Sequence, residues 1–283
     1  MNTEDDILKR LLSVLPIKVV KDVFDETGAA TAVLNQVVRN NANAVVLANV
    51  LSNLEWTKTH CHIFSVRQTR WRQVDSRNIP FTIFSDREND GVRRITGYAE
   101  VTYTATTIQP FGRHNIVFRQ PFRIHLVGDQ MIVFMTILER SLRKYFQGNT
   151  EVVHVEKDLE ETEIIQRVLG AFGTPIVTDI NRGVKDLWNR DIIDSRYAKW
   201  KKDRSMATEA MDEGFTFKEQ YPADYASMVT RPLDKMIFKY LVDDDEMPDH
   251  FTVDPSNGKV SFILYPKTAN QITNVILSIL QSN

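Results

Sequence analysis

One stretch of the chain, residues 113–146, constrains the fold more than any other. Over residues 113–127 the even-numbered positions are mostly apolar, whereas the odd-numbered ones include Arg113, Arg119, Arg123 and His125. Successive side chains of a β-strand point to opposite faces of the sheet. The alternation therefore predicts a strand with one face packed inward and a row of arginines on its outer face.

The residues that follow predict a turn, a second strand and a basic helix. Gly128-Asp129 is a two-residue turn signal, since glycine adopts positive φ without steric cost. Residues 131–138 are apolar throughout, as in a strand that is covered on both sides and runs into a helix. Residues 139–144 add Arg140, Arg143 and Lys144. A sheet with an arginine-lined outer face indicates a surface that meets an anionic partner.

Composition sets further bounds. With 283 residues, 42% hydrophobic and 25% charged, the chain is typical of a soluble globular protein of two or three compact units. The single cysteine, Cys61, excludes an intramolecular disulfide and a cysteine-based zinc cluster, and it fits a reducing compartment. No apolar run approaches the ~20 residues that span a bilayer, so no membrane partner is expected. The acidic start of the chain is unlike a signal peptide.

Charge is distributed unevenly along the chain. Residues 1–59 hold 6 Lys and Arg against 7 Asp and Glu, residues 60–150 hold 13 against 7, and residues 151–283 hold 16 against 23. The central segment therefore carries a net charge of +6 and the last segment −7. This asymmetry predicts a centre that faces nucleic acid; scattered, solvated charge is the alternative.

Residues 4–59 are predicted to form a small helical bundle. In the first helix, one face carries Ile7, Leu8, Leu11, Leu12 and Leu15. Thr3 and Asp6 give a capping-box start, and Pro16 marks the end because the residue before a proline is pushed out of the α region. Further helices are expected at about 17–25, 27–39 and 43–54.

From residue 60 onward the pattern changes to strands, which makes the fold class α+β with a mixed sheet. Strands are predicted at about 61–66, 81–84, 93–108, 113–127, 131–138, 151–155, 235–242, 251–253 and 259–265. Residues 86–91 are expected to form a polar turn and 204–232 a long connector. Helices are predicted at about 159–172, 181–187, 192–202 and 268–280.

Catalytic and metal-binding motifs are weak. His60-Cys61-His62 places two imidazoles on one strand face, but no matching ligands stand at useful spacing elsewhere. The acidic run at residues 243–246 lacks the ligand spacing of a calcium loop, so a solvated turn is favoured. No glycine-rich phosphate loop, nucleophile elbow or zinc-protease motif is present. We therefore expect no cofactor and no metal, and a metal-dependent nuclease is kept only as an alternative.

Arginines and lysines of the sheet region are the most informative candidates for binding. Arginine suits phosphate because its planar fork donates two parallel hydrogen bonds. Pairing with local acids such as Asp75, Asp86 and Glu139 is the alternative, but these acids are too few to pair with every basic residue. The predicted DNA-binding residues are Arg67, Arg70, Arg72, Arg93, Arg94, Arg113, Arg119, Arg123, Arg140, Arg143 and Lys144, with Trp71 and Arg77 in the same region.

Five features taken in order resemble the centromere protein N family, including its fungal kinetochore members. They are the opening helix with Asp6, Lys9-Arg10 and Leu15-Pro16; the strand entry at residues 61–64; the stretch 119–146; a strand and helix followed by Leu169-Gly170; and the terminal strand and helix at 260–280. Together they cover most of the chain.

This resemblance implies a non-enzymatic inner-kinetochore protein of the nucleus. It implies a pyrin-like helical domain at 1–59, a central basic sheet domain at 60–175 and a C-terminal heterodimerisation domain at 176–283. Asp6, Lys9 and Arg10 would contact the centromeric histone H3 variant, and the basic groove would grip nucleosomal DNA. Expected partners are a centromere protein L-like subunit, the centromeric nucleosome and other inner-kinetochore subunits. A general DNA- or RNA-binding adaptor is the rival among binding proteins.

Two expectations refine these roles. Arg10 lies opposite Leu8 and Leu11 on the first helix, so we expect it to be an exposed contact residue, with an intrahelical pair to Asp6 as the alternative. The strand at 260–265 is apolar on both faces, so we expect a free strand edge that pairs with the partner, with ordinary core as the alternative. The predicted partner-binding residues are Phe262, Ile263, Leu264, Ile272 and Ile276.

Overall fold

The computed structural model describes residues 3–26, 28, 30–41, 43–52, 54–67, 81–138, 150–202, 205–210, 214–241, 247–268 and 270–283. The helices in these residues are α1 (Glu4–Val14), α2 (Ile17–Phe24), α3 (Thr31–Asn41), α4 (Ala44–Ser52), α5 (Glu161–Gly170), α6 (Asn181–Asn189), α7 (Phe217–Gln220), α8 (Pro222–Val229) and α9 (Gln271–Gln281). Short 3-10 helices lie at Leu54–Trp56 and Pro255–Asn257.

Twelve strands complete the described part of the chain. They are β1 (Thr59–Ser65), β2 (Thr82–Asn89), β3 (Val92–Ile108), β4 (Phe111–Val127), β5 (Gln130–Thr136), β6 (Val152–Lys157), β7 (Ile176–Val177), β8 (Ile193–Lys202), β9 (Ser205–Ala210), β10 (Met236–Tyr240), β11 (Phe251–Asp254) and β12 (Lys259–Phe262). The observed strand pairs are antiparallel. The α+β class is confirmed, whereas the mixed sheet expected from the sequence is wrong for the strand pairs described, all of which are antiparallel.

The chain folds as two compact units. The first comprises Met1–Thr57, Arg67–Asp129 and Met135–Thr174, and the second comprises Lys58–Val66, Gln130–Phe134 and Pro175–Asn283. The three-domain layout predicted from the sequence is not confirmed.

The first unit is built on one long hairpin. β3 and β4 pair over their whole length, from Val92 opposite Val127 to Ile108 opposite Phe111. β2 and β6 pair with opposite ends of the other edge of β3. Helix α1 packs on β4. Its start and end are as predicted, since Thr3 caps it in a capping box and it ends before Pro16.

The second unit has the strand order β5-β1-β12-β11-β10-β8-β9, and β7 pairs with the end of β1. Its core is centred on the fully buried Trp188, whose ring meets those of Phe217, Tyr225 and Phe238 at edge-to-face angles. The buried Asp194 accepts hydrogen bonds from Trp188 Nε1 and from the backbone N–H of Phe217, both at 3.2 Å. This carboxylate therefore fixes the start of α7 against the sheet.

Three local predictions are wrong. Residues 192–202 form β8 and not a helix, because Ile193–Ala198 pair with β10 and this pairing overrides the local preference. The expected connector at 204–232 contains β9, α7 and α8. The expected turn at 86–91 is mostly strand, since β2 continues to Asn89 and only Asp90-Gly91 turns, both with positive φ. No helix in the described residues is long and apolar enough to cross a membrane.

Candidate nucleic-acid interface

Two rows of polar residues cross the sheet of the first unit at the end where β2 lies. In one row Arg87 of β2 stands opposite Arg94 of β3, which stands opposite His125 of β4. In the next row Thr96 of β3 stands opposite Arg123 of β4. Residues directly opposite each other in an antiparallel pair project to the same face. Three arginines and a histidine therefore share one face, which we call the cationic face.

Arg87 and Arg94 are the accessible members of the cationic face. Both are exposed, and within the described residues neither forms an ion pair with a carboxylate. Like charges that stand directly opposite each other on a sheet are destabilising. An anion bound between the two guanidinium groups would relieve this repulsion.

His125 contributes no charge to the cationic face near neutral pH. Burial, with Arg123 and Arg94 nearby, lowers the pKa of this imidazole to about 3. The neutral ring lies beside Arg94 without adding a third positive charge to the row.

Arg93, a predicted DNA-binding residue, lies on the other face of β3. Its Nε and Nη2 atoms donate to the two carboxylate oxygens of Asp86, at 2.8 and 2.6 Å. This bidentate bond raises the pKa of the Arg93 guanidinium. The acid-pairing alternative considered for the sheet arginines therefore holds for Arg93.

The predicted exposure of Arg119 is wrong. Its side chain is 3% exposed, and its Nη2 atom binds the carboxylate of Glu4 at the start of α1. Glu100 lies 3.7 Å from Nε, and the guanidinium stacks over the ring of Tyr98 at 4.5 Å. Arg119 is buried because α1 packs on β4, so it is not part of an open surface.

Arg10, expected to be an exposed contact, is also buried, at 8% exposure. Its Nη1 atom donates a hydrogen bond of 2.6 Å to the backbone oxygen of Val117 on β4. Asp6 caps its own helix, and the hydrogen bond from Thr3 Oγ1 lowers the pKa of the Asp6 carboxyl. Lys9 is half-buried. The face of α1 that carries Arg10 therefore packs against the sheet, and a histone-binding role for these residues stays a prediction.

The remaining predicted arginines differ in their surroundings. Arg123 lies 4.0 Å from Glu55, with 13% of its side chain exposed. Arg113 is exposed and pairs with Glu156 at 3.1 Å, and Arg67 is exposed at the end of the described segment after β1. Arg70, Trp71, Arg72, Arg77, Arg140, Arg143 and Lys144, together with the acidic run at residues 243–246, lie outside the described residues.

Arg87 is the member of the cationic face that sequence reasoning missed. The turn predicted at residues 86–91 leaves Arg87 outside the predicted strands. Asp86 and Glu88 alternate with Arg87 and Asn89, which is a strand pattern. That alternation, followed by an Asp-Gly turn and the long strand β3, was the signal that could have found it.

The expected free strand edge at the C-terminus is wrong. β12 pairs with β1 on one side and with β11 on the other. Phe262, Ile272 and Ile276 are buried in the core of the second unit, at 2%, 2% and 1% exposure. Ile263 and Leu264 follow β12 and are exposed, so they alone among the predicted partner-binding residues are accessible.

The described residues contain no group of three or more His, Cys, Asp or Glu side chains that could hold a metal ion. His60 and His62 are half-buried on β1, and Cys61 between them is fully buried.

In comparisons with family models, curated proteins and solved structures, no match to the chain was found. The fold and its site define the chain as an α+β protein with an antiparallel sheet and one cationic sheet face. The similarity to the centromere protein N family stays a prediction from the sequence.

Proposed function

We propose that this chain is a non-enzymatic DNA-binding protein of the inner kinetochore that grips the DNA of the centromeric nucleosome through the cationic face. The single observation that supports DNA binding is the pair Arg87 and Arg94, exposed and directly opposite each other with no carboxylate partner among the described residues. The centromeric setting, in the nucleus, is supported by the resemblance of the sequence alone.

The chemistry of the pair suits the phosphate backbone better than the base edges. Two neighbouring guanidinium groups on one face of a sheet offer several N–H donors to phosphate oxygens. Contacts to phosphates fix the position of a protein on DNA but carry no sequence information. We therefore expect binding that depends little on base sequence and strongly on salt.

Partner binding is the second part of the proposal. Ile263, Leu264 and Tyr265 are consecutive, exposed and apolar, at 52%, 49% and 46% exposure. Contiguous exposed apolar residues are typical of protein–protein contacts. We propose that these residues, and not the buried Phe262, Ile272 and Ile276, contact a centromere protein L-like subunit.

The experiment that tests DNA binding compares two double variants of the full chain. Arg87→Ala with Arg94→Ala removes the exposed pair, and Arg182→Ala with Arg190→Ala removes the same charge from helix α6 and its end. The first double variant should weaken duplex binding about a hundredfold or more, because two hydrogen bonds to charged groups, each worth about 1.5–3 kcal/mol, are lost. The second should bind like the wild type. Equal loss in both would reduce the effect to net charge and contradict the proposed site.

Two further measurements separate this function from its rivals. Capture of reconstituted nucleosomes with the centromeric histone variant, in preference to ordinary nucleosomes and free DNA, supports the kinetochore role. Equal capture of all three favours a general DNA- or RNA-binding adaptor. Magnesium-dependent cleavage of the bound DNA would contradict the non-enzymatic proposal and favour a nuclease.

A further inference from the structure

The tip of the β3–β4 hairpin carries the most exposed large apolar side chain among the described residues. Phe111 is 81% exposed, and Ile108, which stands directly opposite it, is 47% exposed. Gln109 and Pro110 between them are exposed as well. An aromatic side chain this exposed contributes little to the stability of the fold, because it buries little apolar area.

The tip is an ordered turn. The hydroxyl of Thr107, which is fully buried, donates a hydrogen bond of 2.7 Å to the backbone oxygen of Pro110 and lies 3.2 Å from Nε2 of His114. The backbone N–H of Ile108 donates to the oxygen of Glu151 at 3.1 Å, which ties the tip to β6. A ring held outward in this way loses little entropy when it binds.

The surroundings of the tip are polar and mixed in charge, with hydrogen-bond donors on β4 and the exposed Glu151 and Glu156 on the side of β6. Residues 113–115, which are Arg113, His114 and Asn115, are all exposed, so both faces of this end of β4 are open. Arg113 pairs with Glu156, but the two side chains are 65% and 54% exposed. Ion pairs this exposed contribute little stability, so a phosphate can replace the carboxylate.

We propose that the tip of the β3–β4 hairpin inserts Phe111 as an apolar wedge between base pairs in the minor groove of bound DNA. Proteins that bind the minor groove often place an apolar side chain between base steps and kink the duplex by about 20–90°. The tip presents Pro110 and Phe111 foremost, with the start of β6 beside Ile108. Gln109, Arg113 and Asn115 can donate to phosphates and base edges. This inference rests on the proposed function.

DNA is favoured over a pocket in another protein because of the composition around the ring. The apolar core of a protein interface is depleted in charge and buries its polar groups only in hydrogen-bonded pairs. Here the exposed apolar pair Ile108 and Phe111 is followed directly by Arg113, His114 and Asn115. A wedge with donors on its flanks matches a groove lined with acceptors and phosphates.

The test measures DNA bending and DNA affinity with the full chain and a short duplex that carries a fluorophore at each end. Wild type should shorten the end-to-end distance. Phe111→Ala should abolish the shortening and bind about fivefold to twentyfold more weakly, because the apolar wedge that holds the kinked base step is lost. Phe111→Trp should retain the shortening. Phe215→Ala, which removes another exposed ring, at 59% exposure, is the matched control and should behave like wild type.

The outcomes for the tip and for the arginine pair are separable. Wild type that binds without bending the duplex, or Phe111→Ala that binds and bends like wild type, overturns the wedge while leaving the arginine pair in place. In that case the tip is free to dock into a protein. If Arg87→Ala with Arg94→Ala leaves both affinity and bending unchanged while Phe111→Ala abolishes the bending, the wedge is supported and the cationic face is contradicted. Wild type that binds no duplex overturns both.

Discussion

The carboxylate of Glu4 binds the buried guanidinium of Arg119, and this ion pair joins the first turn of α1 to the middle of β4. Nε and Nη1 of Arg119 have no hydrogen-bond partner in the described part of the chain. Glu4 is therefore the main compensation for a buried positive charge.

Glu4→Gln should lower the free energy of unfolding by about 1–3 kcal/mol, because it leaves Arg119 buried without its main countercharge. Asp5→Asn is the matched control, since it removes a charge from the same exposed first turn and has the same relation to the helix dipole. Urea unfolding of the two variants measures the difference. Equal effects would show that the ion pair adds no stability beyond the dipole.

Arg10→Ala should destabilise the chain by about 1–3 kcal/mol, because it removes the packing of a buried side chain and its bond to the partly buried carbonyl of Val117. Lys9→Ala, one residue earlier, should stay within about 0.5 kcal/mol of wild type. Thermal unfolding of both variants is the measurement. An Arg10→Ala variant as stable as Lys9→Ala would restore the exposed position expected from the sequence.

The sequence predicts helices and strands well where a local pattern of apolar residues is enough to define them. The four N-terminal helices and the long strands β3 and β4 lie close to their predicted ranges, because period and capping are local properties. The burial of Arg119 is not local, since its partner Glu4 lies 115 residues earlier in the chain. An arginine on the polar side of a strand looks the same in a sequence whether water or a helix covers it.

The C-terminal strand shows the same limit. Apolar residues on both faces of β12 were compatible with a partner's strand or with ordinary core. Strand pairing decides between these two possibilities. β12 pairs with β1, about two hundred residues earlier in the chain, and such a long-range pairing cannot be read from the local sequence. Arg87 was missed for a related reason, as the length of β2 is set by its pairing with β3.

The folded chain should lose stability as the pH decreases, because the buried His125 resists protonation. The pKa of His125 is lowered to about 3 in the folded chain, whereas an unfolded histidine binds its proton near 6.5. Full stability is thus present above about pH 6.5 and is lost as the pH decreases from there toward 3. Between pH 7 and pH 5 the wild type should lose about 2 kcal/mol more than His125→Gln does.

Urea unfolding at both pH values measures this loss, and His154→Gln is the control because His154 is exposed on β6. It should keep the pH dependence of the wild type. A His125→Gln variant with unchanged pH dependence would mean that the imidazole is accessible to protons in the folded chain.

Phe262 and Ile263 should differ sharply although they are adjacent. Phe262→Ala should cost about 3–5 kcal/mol, because its side chain is 2% exposed in the core of the second unit. Ile263→Ala, at a position that is 52% exposed, should cost no more than about 0.5 kcal/mol. Denaturant unfolding checks both values. If Ile263→Ala also leaves capture of the centromere protein L-like subunit intact, the proposed contact at 263–265 is wrong.

The central claim is that Arg87 and Arg94 bind phosphates of DNA, and the salt dependence of duplex affinity tests it most directly. Each phosphate contact on duplex DNA contributes about 0.9 to the slope of log affinity against log salt. Arg87→Ala with Arg94→Ala should therefore flatten the slope by about 1.8 relative to wild type, measured between about 50 and 200 mM salt. A slope equal to that of the wild type would contradict the claim.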